Sequence, residues 1–180
     1  MKREKILHQL QQYQNEYPLE KITCDRFIDF VQSNPKCFLR ELQIGHITGS
    51  AWLVDESGKN VLLTHHRKLN IWIQPGGHSD GNSNILEVAL QEAVEETGLT
   101  QLQVISNAIF DIDIHEIPLH KTTPAHYHYD VRYALRALGS TDFIVSDESH
   151  DLAWVPVQNM ADYNREESMM RMARKWLARN

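Results

Sequence analysis

Cysteine is scarce in this chain of 180 residues and occurs only as Cys24 and Cys37. Neither residue belongs to a CxxC motif or to a Cys/His spacing typical of zinc sites. The sequence therefore contains no disulfide framework and no cysteine-based metal site. We expect two buried or unreactive thiols.

Long apolar runs are missing as well. The first residues, MKREKILHQLQQYQ, lack the apolar stretch of a signal peptide, and no later segment approaches the ~20 apolar residues that a membrane span needs. The sequence therefore predicts a cytoplasmic protein with no membrane partner.

Positive charge is in deficit. The chain has 18 Lys and Arg against 24 Asp and Glu, a formal net charge of −6, and no long basic run. This balance argues against nucleic acid as the main partner. A phosphate-bearing ligand would need local help, from loop cations or from a metal ion.

Repeats, low-complexity tracts and Pro/Gly linkers are also absent, which favours a single globular domain with an appendage. Apolar residues at helical spacing predict a helical pair at the N-terminus, with Ile6, Leu10 and Tyr13 in one stripe and Phe27, Phe30 and Val31 in the other. We therefore expect residues 1–40 to form an N-terminal helical extension and residues 41–180 to form the main domain.

Strand patterns dominate after the helical pair. HITGSAWLV, NVLLTHH and NIWIQP predict strands before the central helix, and segments around QVISNAIFDIDIHEI, AHYHYDVRYALRA and LAWVPV predict strands after it. A closing helix is expected near residues 164–179. This order predicts a mixed α/β fold with antiparallel hairpins.

The central helix lies within GGHSDGNSNILEVALQEAVEETGL, residues 76–99. Asn84 is a good N-cap, Glu87 is placed to complete a capping box, and Gly98 is a typical helix end. Apolar residues at helical spacing predict the side that faces the core: Leu86, Leu90, Ala93, Val94 and Thr97.

Three carboxylates, those of Glu92, Glu95 and Glu96, are predicted to share the opposite side of this helix. A solvated acidic face is the ordinary interpretation of such a run. Here, however, no Lys or Arg stands three or four residues away, and like charges at these spacings cost roughly 0.2–0.5 kcal/mol per pair. A divalent cation would relieve the repulsion, and clustered carboxylates suit Mg²⁺ or Mn²⁺.

The same stretch resembles the Nudix box, G-x5-E-x7-R-E-U-x-E-E-x-G-U, where U is a bulky aliphatic residue. The glycine and glutamate positions match in register, as does the final aliphatic residue: Gly77, Glu92, Glu95, Glu96, Gly98 and Leu99. The sequence departs from the box at Ser83, Gln91 and Ala93. The resemblance covers residues 42–160.

The resemblance implies a Nudix fold, an α/β/α sandwich around a mixed sheet. It implies Mg²⁺- or Mn²⁺-dependent hydrolysis of a nucleoside diphosphate linked to another group, a small-molecule phosphate-containing substrate. Carried over by position, Glu92, Glu95 and Glu96 would be metal ligands, and Gly77 would shape the loop and offer its carbonyl. Nudix enzymes often draw a general base from a loop such as the one that holds Glu148. The catalytic candidates are therefore Glu148 and, within the box, Glu95.

Substrate-binding candidates lie outside the acidic cluster. Arg67 and Lys68 occupy a predicted loop and would meet phosphate, although a solvated basic turn explains them equally well. His78 directly follows the paired glycines of the box.

Two alternating stretches, D111-I-D113-I-H115 and H126-Y-H128-Y-D130, each place three polar groups on one strand face. Paired as a hairpin, they would line a pocket, with His126, His128 and Asp130 on the substrate, or hold an extra metal. An exposed sheet face is the alternative.

Three functional interpretations stay open. The first is a Nudix hydrolase, and the second is a binder of nucleotides or metabolites on the same fold, which Ser83 and Gln91 would favour. The third is an isomerase of isoprenyl diphosphates, which would need a catalytic cysteine although Cys24 and Cys37 both precede the sheet. The apolar stripes of the N-terminal helices must be covered by the sheet or by a second subunit, so a homodimer is a further expectation.

Overall fold

The computed structural model describes residues 2–67, 70–119, 124–145 and 149–179. Within these ranges the helices are α1 (Glu4–Glu16), α2 (Lys21–Ser33), α3 (Ile85–Thr97) and α4 (Glu167–Leu177). The strands are β1 (Gly45–Val54), β2 (Asn60–His66), β3 (Ile71–Ile73), β4 (Gly76–His78), β5 (Leu102–Val104), β6 (Asp111–Ile117), β7 (His126–Ala137) and β8 (Ser149–Pro156). Short 3-10 turns span Pro18–Glu20 and Val157–Asp162.

The strands form one mixed sheet, in which β3, β2, β1, β7 and β5 are neighbours in that order. The β1–β7 pair is parallel, whereas β4, β6 and β8 pair antiparallel with β1, β7 and β2. All ten residues of β1 are buried, so this strand is the centre of the fold. The prediction of a mixed α/β sheet with flanking helices is confirmed.

Both faces of the sheet are covered by helices. Ile47 on one face of β1 belongs to the same apolar cluster as Ile85 and Val88 of α3. Trp52 on the other face packs in a cluster with Met172 and Trp176 of α4. The alternation of strand side chains thus places α3 and α4 on opposite sides of the sheet.

The N-terminal helices pack on the sheet of their own chain. Phe30 of α2 stacks on Tyr129 of β7 with ring centroids 3.7 Å apart, and the predicted stripes of α1 and α2 are buried in the cluster that contains Ile47. These stripes therefore give no reason to require a second subunit. The homodimer and the domain boundary at residue 40 stay predictions.

A buried charge network ties α4 to the sheet. Asp111 of β6 is fully buried, and it accepts hydrogen bonds from Arg171 at 2.9 and 2.8 Å and from Lys175 at 2.6 Å. Arg132 of β7 donates to the same carboxylate at 3.1 Å. Burial alone would raise the pKa of Asp111, but these cations outweigh it and lower the pKa. Asp111 therefore stays charged and holds α4 in place.

Helix α3 follows Asn84 and ends at Gly98 with a left-handed φ of 72°, as predicted. The predicted capping box is wrong, since Asn84 makes no side-chain cap and its Oδ1 instead accepts a hydrogen bond from Lys5 at 2.7 Å. The interaction that replaces the capping box is a contact between α1 and the start of α3.

The predicted core side of α3 is correct only in part: Ala93 and Thr97 are buried and Leu86 and Leu90 pack partly buried against the core, but the buried stripe reaches further round the helix than predicted. The buried residues of this helix are Ile85, Val88, Ala89, Ala93, Glu96 and Thr97. At about 100° per residue, Glu92 falls between Ile85 and Val88 in helical projection, so Glu92 and Glu96 lie within the buried stripe instead of opposing it, whereas Glu95 is exposed at its edge. The physical reason is that the second half of this stripe meets the backbone of β4, which carries two glycines.

No helix among the described residues is long and apolar enough to cross a membrane.

Candidate active site

Glu96 lies against the first residue of β4. Its side chain is buried, with 8% exposure, and its Oε1 accepts a hydrogen bond from the backbone N–H of Gly76 at 2.8 Å. A hydrogen bond from the backbone fixes the orientation of the carboxylate. Glu96 is therefore held at the point where α3 meets β4.

Glu92 is packed against the next residue of the same strand. A Cβ added at Gly77 would lie 2.5 Å from Oε1 and 2.6 Å from Oε2 of Glu92, closer than any real contact. Only glycine leaves the half-buried carboxylate in this position. The box glycine thus acts here through the space that it leaves, and not through an unusual backbone angle.

Glu95 is exposed at the rim of the cluster. Its Oε1 accepts a hydrogen bond from Nε2 of Gln91 at 2.7 Å, one helical turn earlier. This is a neutral contact at the position where the Nudix box has an arginine. It orients Glu95 without compensating its charge.

These three glutamates fit a divalent cation by their chemistry. Neighbouring carboxylate oxygens, one of them buried and one half-buried, are the ligands that Mg²⁺ and Mn²⁺ prefer. Two of the carboxylates are also fixed by the β4 backbone, one by a hydrogen bond and one by close packing. Glu92 and Glu96 are thus brought together at one helix–strand junction, whereas Glu95 lies exposed at its rim; among the described residues the three glutamates are not a group whose ligand atoms all lie within 4.8 Å of one another.

A second polar group lies on the sheet and is centred on Asp130 of β7. This buried carboxylate accepts hydrogen bonds from Thr48 at 2.9 Å, Ser50 at 2.7 Å and Arg132 at 2.8 Å. Its oxygens are thus already occupied by the protein. Asp130, expected to bind substrate, organises the polar side chains on this face of the sheet.

Histidines cluster next to this carboxylate. His46 lies opposite His128 across the β1–β7 pair, and the ring of His78 is 4.9 Å from that of His46 and 5.1 Å from that of His128. Burial, and then the neighbouring histidines, lower the pKa of His46 to about 4 and that of His128 to about 2. Both rings are therefore neutral at pH 7.

His46 was missed by the sequence reasoning. The available signal was the alternation His46, Thr48, Ser50, which places three polar side chains on one face of an otherwise apolar strand. The predicted pairing of β6 with β7 is present, with Asp113 opposite Asp130 and His115 opposite His128.

The remaining candidates are less constrained. His126 contacts the oxygen of Pro124 through Nδ1 at 2.8 Å, and its ring lies 5.0 Å from that of His46. Arg67 donates to the backbone carbonyl of Ser149 at 3.1 Å, so part of its donor capacity is used within the protein. Lys68 and Glu148 lie outside the described residues.

The chain is similar in sequence to known proteins. A model of the NUDIX domain matches residues 46–177. The chain is 37% identical over 87 residues to the m7GpppN-mRNA hydrolase NUDT17 of Xenopus laevis, a match that covers 44% of this chain and 29% of that protein. The chain thus spans less than a third of the length of this curated relative.

Solved structures share the fold. A NUDIX-family hydrolase from Clostridium perfringens has a TM-score of 0.56 and 23% identity, covering 75% of this chain and 98% of that one. The E. coli dihydroneopterin triphosphate pyrophosphohydrolase has a TM-score of 0.58 and 14% identity, covering 74% and 96%. At these identities the likeness shows the architecture alone.

Proposed function

Because this chain belongs to the NUDIX family, we propose that it is a pyrophosphohydrolase that uses Mg²⁺ or Mn²⁺ to cleave a diphosphate linkage in a nucleoside diphosphate derivative. The observation that carries the proposal is the junction of α3 with β4, where Glu92 and Glu96 are fixed against two glycines. A merely solvated acidic face would not need carboxylates packed against a strand.

In this proposal Glu92, Glu95 and Glu96 hold the divalent ions, with the carbonyl of Gly77 as a further candidate ligand. When bound, such ions neutralise phosphate charge and lower the pKa of water. The protein's own part is orientation. The N–H of Gly76 fixes Glu96, the missing side chain of Gly77 leaves room for Glu92, and the Gln91 amide positions Glu95.

The proton of the attacking water needs an acceptor. Glu95 is the exposed member of the cluster, and Glu148 is the loop carboxylate expected from the family pattern, so these two residues are the proposed bases. Either carboxylate would take the proton, and cations such as Arg67 and Lys68 would bind the phosphate oxygens.

The substrate is proposed to extend from this junction across β4 to the polar face of the sheet, which lies on the side opposite α3. His78, His126 and His128 would offer ring nitrogens or stacking surfaces, and Asp130 would keep the face polar through its contacts with Thr48 and Ser50. A nucleoside attached to the diphosphate suits such a surface because bases combine flat rings with hydrogen-bonding edges. The relative named as an mRNA-cap hydrolase makes a capped dinucleotide one substrate to test.

A non-catalytic binder on the same fold is the second candidate, and it is favoured by the loss of charge at Ser83 and Gln91. An isoprenyl diphosphate isomerase gains no support, because Cys24 and Cys37 are both 0% exposed and so offer no accessible thiol. Turnover therefore separates the two interpretations that have support.

The test is a screen of nucleoside diphosphate derivatives, dinucleoside polyphosphates and a capped dinucleotide, read as phosphorylated products with chelator, Mg²⁺ or Mn²⁺. We expect metal-dependent cleavage of at least one class, with Glu95→Gln strongly impaired. Glu87→Gln is the matched control, since this exposed glutamate lies on the same helix outside the cluster. Binding of a substrate without cleavage in any metal would favour the non-catalytic binder.

A further inference from the structure

Three neighbouring strands each contribute one histidine to the same part of the sheet. His46 on β1 is the register partner of His128 on β7, and His78 on β4 is the partner of Thr48 on the other side of β1. The three ring centroids are 4.8, 4.9 and 5.1 Å apart. One ligand nitrogen of each ring lies within 4.8 Å of the other two.

From this geometry we propose that His46, His78 and His128 form a binding site for a transition-metal ion of the Zn²⁺ class. Zn–N bonds are about 2.0–2.1 Å long, so tetrahedral ligand nitrogens are about 3.4 Å apart. Starting from separations of at most 4.8 Å, each nitrogen needs to move inward by less than about 1 Å. Small side-chain rotations are enough for this closure.

The burial of the ligands supports the proposal independently. His46 is only 3% exposed, and within the described residues neither of its ring nitrogens has a hydrogen-bond partner, nor does Nε2 of His128. A buried polar atom without a partner keeps the desolvation penalty that burial imposes on it. A shared ion would satisfy one nitrogen of His46 and Nε2 of His128.

The ligand type separates this site from the carboxylate cluster. Imidazole nitrogens suit Zn²⁺, Ni²⁺, Cu²⁺ or Fe²⁺, whereas the glutamates suit Mg²⁺ and Mn²⁺. The two sites approach β4 from opposite faces of the sheet, since Gly77 faces Glu92 and His78 is the next residue. Three protein ligands leave a further position open for water or a phosphate oxygen. The histidine site does not depend on the proposed hydrolysis.

The experiment is a titration of the chelator-stripped full chain with Zn²⁺, in competition with a chromophoric chelator and in millimolar Mg²⁺. We expect one equivalent of tightly bound Zn²⁺, and a loss of affinity of at least about 10-fold in His46→Gln, His78→Gln and His128→Gln. His8→Gln is the matched control because this histidine is exposed on α1. Co²⁺ should give the visible absorption bands of a tetrahedral nitrogen site.

No tight binding of Zn²⁺ to the wild type would overturn the proposal. Unchanged affinity in the three histidine variants, with loss in Glu96→Gln, would do the same by placing the ion at the carboxylates. If the buried His46→Gln fails to fold by circular dichroism, the half-buried His78 decides the outcome through His78→Gln. No substrate is present in this titration, so its result is independent of whether the protein is a hydrolase.

Discussion

Gly77→Ala is predicted to damage the active site by moving one carboxylate. The new Cβ would lie 2.5 Å from Oε1 of Glu92, whereas ordinary contacts begin at 3.4 Å. Glu92 must therefore retreat by about 0.9 Å, the difference between these two distances. Gly77 has no positive φ, so alanine fits the backbone and the fold should survive.

The magnitude of the loss follows from this displacement. Misplacing a group in an active site by about 1 Å can cost about 100-fold in rate, which corresponds to about 2.7 kcal/mol of transition-state stabilisation. We therefore expect kcat/KM with Mg²⁺ to fall about 100-fold. The free energy of unfolding should change by only about 1 kcal/mol, because the displaced atoms are the end of a flexible side chain.

The assay is kcat/KM in a double-mutant cycle with Glu92→Gln. If Gly77→Ala acts through Glu92, the double variant should be no slower than Glu92→Gln alone. A wild-type rate in Gly77→Ala would refute the assignment of Glu92 to the site. Additive losses in the double variant would show that Gly77 acts by another route.

Other predictions address the metal ions, the hydrogen bond from Gln91 to Glu95, and the buried charge network around Asp111. Mg²⁺ or Mn²⁺ should raise the melting temperature of the wild type but not of Glu96→Gln, because an ion that binds only the folded site stabilises it by mass action; an equal rise in both would contradict this. Gln91→Arg should lower the metal concentration for half-maximal turnover and Gln91→Ala should raise it at fixed pH, because residue 91 positions Glu95 through a hydrogen bond. Equal values in the three proteins would show that this contact has no effect on metal binding. Arg171→Met should reduce the free energy of unfolding by about 3 kcal/mol, measured with urea, because Asp111 loses one partner of a buried ion network; a change under about 0.5 kcal/mol would refute this. Burial would raise the pKa of Asp113, but the hydrogen bond of a neighbouring histidine and nearby guanidinium charge lower it to about 2. Since this value is below the unfolded pKa of about 3.9, about 2 kcal/mol of stability should be present above pH 4 and lost as the pH falls towards 2, and the loss should be smaller in Asp113→Asn.

The sequence predicted the elements that carry the fold because their patterns are local. Alternation marked β1 and β2, and the helical stripes of α1 and α2 are buried as expected. The hairpin of β6 with β7 followed from two adjacent alternating stretches. Strand β4 was missed because three residues, two of them glycine, give no propensity signal.

The site was only partly accessible to sequence reasoning. Spacing placed Glu92, Glu95 and Glu96 together on one helix but assigned all three to the side away from the core. No local pattern shows that the glycines of β4 leave room for Glu92 and Glu96 on the buried side. The capping box was predicted wrongly for a similar reason, because the side-chain oxygen of Asn84 accepts a hydrogen bond from Lys5 of the distant helix α1. His46 joins His128 only through the parallel β1–β7 pair, a contact between segments more than 80 positions apart.

The most direct test of the central claim is turnover of a cleaved substrate as a function of Mg²⁺ and Mn²⁺ concentration in the wild type and Glu96→Gln. The account predicts no turnover in chelator, saturable activation of the wild type, and a large loss of activity or a much higher half-maximal metal concentration in the variant. Turnover that persists in chelator, or a variant that saturates at the wild-type concentration with the wild-type rate, would contradict it.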